Sequence, residues 1–95
     1  MQEKLLAEHH VKGEHGEDIL LSYYLLVEEL RDPSGSQLCE LYGAKITRRC
    51  AGQAEAKCLR RITVLGEEML RIVEELSRYQ VFPVHLEDCV LNLLP

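Results

Sequence analysis

Hydrophobic positions recur every second residue in the first half of the chain and every third or fourth in the second half. Leu5, Ala7, His9 and Val11 alternate with Leu6, Glu8 and His10, the period of a strand. Gly13-Glu14-His15-Gly16 breaks that run with two glycines able to take positive φ. Residues 19–27 are apolar on both faces apart from Ser22, as expected of a strand in the middle of a sheet. Asp32-Pro33-Ser34-Gly35-Ser36 is the strongest turn, because proline presets φ and glycine follows it. A third strand then places Leu38, Tyr42, Ala44 and Ile46 on one face. After a turn at Ala51-Gly52-Gln53, a fourth puts Ala56, Cys58, Arg60 and Ile62 on one side and Lys57, Leu59 and Arg61 on the other.

Beyond residue 63 the period becomes helical. Leu65, Met69, Ile72, Val73, Leu76 and Tyr79 form one stripe, with Glu67, Glu68, Arg71, Glu74, Glu75 and Arg78 opposite. Thr63 is the expected N-cap. Pro83 ends the connection, and Leu86, Val90 and Leu93 set the stripe of a second helix. The spacing therefore predicts strands over about 3–12, 18–28, 37–49 and 54–62, and helices over about 64–79 and 84–94. Short connections between consecutive strands make an antiparallel meander. The expected fold is α+β: a four-stranded antiparallel meander followed by two helices, the first packed on one face of the sheet. Residues 1–95 form one domain in this reading, with a radius of gyration of about 12–13 Å.

Composition narrows the class without naming a function. Hydrophobic residues make up 46% and charged residues 28%, which is globular rather than disordered. No run is long enough for a membrane helix, and Met1-Gln2-Glu3-Lys4 does not open a secretory signal, so a cytoplasmic protein is expected. Cys39, Cys50, Cys58 and Cys89 are then expected as free thiols. None of the four is close enough in sequence to another to offer a zinc-type pair, and His9 and His10 point to opposite faces. Both histidines read as solvated strand residues. No metal and no cofactor is expected.

Charge is uneven. Lys45, Arg48, Arg49, Lys57, Arg60 and Arg61 face only Glu55 in their stretch, a local +5 within a chain of −5. Arg48, Arg49, Arg60 and Arg61 are thus candidates for holding an anion. The plainer reading pairs them with acidic neighbours in the fold. Tyr23, Tyr24 and Tyr42 beside basic strands could stack nucleic-acid bases. Tyr23 and Tyr24 face opposite ways, however, and the total charge is acidic, so nucleic acid is disfavoured.

Three stretches are informative together: Leu21-Ser22-Tyr23-Tyr24-Leu25-Leu26, Leu41-Tyr42-Gly43 and Pro83-Val84-His85-Leu86-Glu87-Asp88. In that order they resemble a family of short uncharacterised proteins of clostridia-like, spore-forming bacteria that end in a Pro-Val-His-Leu-x-Asp motif. The resemblance implies a free-standing cytoplasmic protein and carries no catalytic residue. The function class expected is a non-enzymatic interaction or regulatory module, with a protein partner or self-association and no membrane. Its surface would be His85, Glu87, Asp88, Val90, Leu93 and Leu94, an exposed sheet edge, or both. His85 is expected to bond the backbone or a carboxylate and so pin the last helix. The alternative is a small enzyme or ligand-binding protein with a site around His85, using Glu87, Asp88 or Cys89.

Overall fold

A computed structural model describes residues 1–35 and 38–95. Four strands, β1 (Gln2–Lys12), β2 (Asp18–Arg31), β3 (Leu38–Cys50) and β4 (Gln53–Thr63), precede helix α1 (Gly66–Arg78). A 3-10 turn at Pro83–His85 then leads into α2 (Leu86–Leu93). The strands pair in chain order and antiparallel, so the expected α+β meander with two following helices is the observed fold. Each hairpin turn has its chemical reason. Gly16 and Gly35 take φ of 80° and 73°, and Ala51-Gly52 closes β3 on β4 with φ positive at both residues, as a type I′ hairpin demands. Ser36, in the expected turn, and Gln37, the expected start of β3, lie outside the described residues.

One face of the sheet carries the core. Ile19, Leu21, Tyr23, Leu25 and Val27 of β2 and Ala44 and Ile46 of β3 are buried. They pack against Met69, Ile72, Val73 and Leu76 of α1 and Leu86 and Val90 of α2. The other face has no helix over it. Charged side chains reach across strands there instead. Lys45 on β3 donates to Glu3 on β1 at 3.0 Å, spanning β2, and stands 5.4 Å over the Tyr24 ring. Arg60 on β4 grips Glu28 on β2 through two bonds of 2.9 and 2.8 Å, spanning β3. Such aliphatic stems cover apolar surface while their heads stay wet. Leu26, on this face and outside the main core cluster, is accordingly buried.

Several expectations are corrected. The register slips between Leu5 and Ala7, so Leu5 pairs with Tyr24 on the open face and does not share a side with Ala7. A second slip follows Leu59. Ala44 pairs with Leu59, yet Tyr42 pairs with Thr63, and Arg61 takes a φ of 57°. The extra residues turn Ile62 toward the core beside Leu59, not to the side of Cys58. Thr63 is not the N-cap of α1: Leu65 is, and the Thr63 hydroxyl accepts from the Leu65 N–H at 3.0 Å. Leu65 and Tyr79, at the two ends of the expected stripe, are exposed.

The radius of gyration is 14.8 Å, larger than a compact chain of this length would have, with extents of 55 × 29 × 18 Å. The cause is visible in the register. β1 begins opposite Val27 and β4 ends opposite Tyr42. Residues 28–31 and 38–41 therefore continue as a two-stranded arm, with Leu38 exposed on it rather than in the core.

Candidate functional site

The terminal segment is held in place from one side. Leu86 and Val90 are buried, Leu93 and Leu94 are packed against the core, and Cys89 is partly buried. Arg71 of α1 donates to the Leu93 carbonyl at 2.9 Å and fixes the end of α2. Val90 is thus a core residue and offers no contact to a partner. Outward lie His85, Glu87 and Asp88, together with Val84 and Leu91, which are 68% and 61% exposed. Asp88 and Leu91, three residues apart, share one side of α2, and Val84 stands exposed in the 3-10 turn that precedes it. The structure therefore brings His85, Glu87 and Asp88 to one surface with two apolar residues that the sequence reading passed over. Their signal was present: both lie off the buried stripe of Leu86, Val90 and Leu93.

His85 is the last residue of the 3-10 turn and the residue before α2, and its side chain caps nothing. Its backbone N–H donates to the Phe82 carbonyl at 3.0 Å. The expected pinning bond from its imidazole is absent among the described residues. The depression beside this segment is lined by Val84 and Glu87 with Lys57 and Cys58 of β4, and not by His85. Histidine does such a job elsewhere. His9, expected to be solvated, is half-buried, with Nε2 2.8 Å from the Ser77 hydroxyl at the end of α1.

The four arginines do not converge. Arg48 faces the helices beside Phe82, while Arg49 faces the open side near His10 and Cys50. Arg60 and Arg61 lie at the far end of the sheet, and both hold Glu28. Hydrogen bonds from Arg60 first, and then Arg61, keep the Glu28 carboxyl down at about 2, well below its ordinary 4.5. A depressed carboxylate stabilises the fold above its unfolded pKa, and that contribution fades as pH falls toward the folded value. Glu28→Gln should therefore melt below wild type at pH 7. The gap should shrink between pH 4.5 and about 2 in thermal melts. An equal gap at pH 7 and pH 2.5 would show that the ion pair is not its source.

All four cysteines are free thiols in the structure. Among the described residues no group of three or more His, Cys, Asp or Glu could hold a metal ion, and no helix is long and apolar enough to cross a membrane.

Fold and surface define a small α+β protein whose meander is covered on one face by its own two helices. The chain belongs to a family of unknown function (DUF6514), whose model matches residues 2–94. Neither the curated proteins nor the solved structures contain a match to it.

Proposed function

We propose that the chain acts as a single domain and as a small non-enzymatic interaction or regulatory module. Its partner-binding surface is the outer side of residues 83–94. The observation that carries this reading is the pairing of exposed Val84 and Leu91 with His85, Glu87 and Asp88 on a segment anchored from behind. An apolar pair rimmed by charge on a rigid element is the chemistry of a protein contact. The Pro-Val-His-Leu-x-Asp motif and its resemblance to proteins of spore-forming bacteria support a bacterial cytoplasmic protein. The role of Arg60 and Arg61 is local under this reading, because both already hold Glu28.

Leu91→Asp and His85→Ala separate this reading from a ligand site at His85. Both positions are exposed, so each variant should keep its stability within about 0.5 kcal/mol. The protein that co-purifies with the tagged full-length chain from its host should be lost with Leu91→Asp. Retention by both variants would overturn the surface. A small molecule that raises the wild-type melt but not that of His85→Ala would replace it with the ligand reading.

A further inference from the structure

β4 is an edge strand, hydrogen-bonded to β3 alone. Gln53, Ala54, Glu55, Ala56, Lys57 and Cys58 are all exposed, and the strand runs without a register slip from Gln53 to Leu59. It has no proline. An edge of this kind is a template for another strand unless something spoils it. β1, the opposite edge, is spoiled: its slip at Leu5–Ala7 interrupts it, and Lys12 is held by Asp18.

We propose that β4 pairs with β4 of a second copy, antiparallel, about a two-fold axis through Ala56, to make one continuous eight-stranded sheet. The register follows from symmetry and charge. Paired residues share a face of the sheet, and a two-fold perpendicular to the sheet keeps each face on its own side. The axis must then pass between a residue and its own copy. With the axis at Glu55 or at Lys57, like charges stand directly opposite each other. With the axis at Ala56, Glu55 meets Lys57 of the second copy and Lys57 meets Glu55. Ala54 then lies opposite Cys58, and small residues line the open face. Within its own chain Glu55 stands opposite Arg48 and Lys57 opposite Ile46, yet among the described residues neither Glu55 nor Lys57 forms an ion pair or a side-chain hydrogen bond. An axis at Ala54 would set Glu55 opposite Gln53 and carry the pairing into the Ala51-Gly52 turn, which leaves an axis at Cys58 to consider. It would leave Lys57 opposite Leu59 and carry the pairing into the irregular stretch at Arg61. Both helical layers end on the same side, so the two cores flank the join. The occupant is a second copy because the strand's charges are complementary to themselves.

This inference rests on the same interaction-module reading, and the β4 edge adjoins that surface, since Lys57 and Cys58 share a depression with Val84 and Glu87; Leu91 lies outside it, so Leu91→Asp should leave the pairing untouched. Sedimentation of the full chain should give a dimer. Glu55→Lys or Lys57→Glu should weaken it about tenfold or more, since symmetry doubles every like-charge pair created. The swap carrying both changes should restore it. In a Cys39→Ser, Cys58→Ser background, Ala56→Cys should cross-link to its copy when oxidised with diamide. Antiparallel partners have Cα atoms about 4.5–5.5 Å apart, within reach of a disulfide. A wild-type monomer, or single charge reversals that leave the dimer intact, would overturn the pairing. A Cys58–Cys58 cross-link in the wild type would overturn the axis.

Discussion

Gly43→Ala is expected to destabilise the protein by about 3 kcal/mol or more, although it adds a single methyl group. Gly43 is buried on β3, opposite Leu26. A Cβ there would stand 2.1 Å from the Leu59 carbonyl oxygen and 3.0 Å from the Arg60 Cα, and both are backbone atoms. No side chain can swing away to make room. The approach exists because β4 inserts Arg60, Arg61 and Ile62 opposite this one residue, with Arg61 in the left-handed region. Displacing that bulge would also pull Arg60 and Arg61 from Glu28 and Ile62 from the core. A shift of roughly 15 °C in melting temperature is the expected scale for a chain of this size. Gly52→Ala supplies the control. Its φ is 79° but nothing lies within 4 Å of the added carbon. It should show only the backbone strain of about 1–2 kcal/mol. Equal losses at the two positions in urea unfolding would mean that the close approach is not what Gly43 serves.

The same bulge marks the boundary of what the sequence reveals. The apolar run of β2 and the stripe of Met69, Ile72, Val73 and Leu76 are direct consequences of burial, and they mark a central strand and the helix upon it. An inserted residue leaves no comparable trace. Nothing in Leu59-Arg60-Arg61-Ile62 announces that both arginines will reach one glutamate, 32 and 33 residues earlier, on a strand two places away. The basic stretch was visible, and its neutralisation by Glu28 was not. A stripe likewise shows which side chains of the last helix act together, but not whether they face the core or a partner. Leu86 and Val90 face inward, which leaves Val84 and Leu91 as the outer pair. The arm is invisible for a related reason: Leu38 continues the pattern of β3 past the point where β1 and β4 have stopped.

Tyr23 should show the second large effect, and pH should divide it into two parts. It is fully buried on β2, its ring edge-on to His9 at 5.9 Å, and its hydroxyl donates to the Val81 carbonyl at 3.0 Å. Val81 follows α1, so this bond ties the centre of the sheet to the turn between the helices. Tyr23→Ala removes the ring and is expected to destabilise by about 3–5 kcal/mol. Tyr23→Phe keeps the ring and loses the bond, at about 1 kcal/mol. Burial pushes the phenol from its ordinary 10 up to about 12. A phenol whose pKa is raised by folding stabilises fully below the unfolded value and loses that contribution as pH climbs through the folded one. Wild-type stability should therefore fall between pH 10 and about 12, by more than in Tyr23→Phe, where this residue no longer titrates. Burial raises Tyr42 as well, and it remains in both proteins, so the difference between the two curves isolates Tyr23. Parallel alkaline melting curves for wild type and Tyr23→Phe would show that the buried hydroxyl is not the group that high pH attacks.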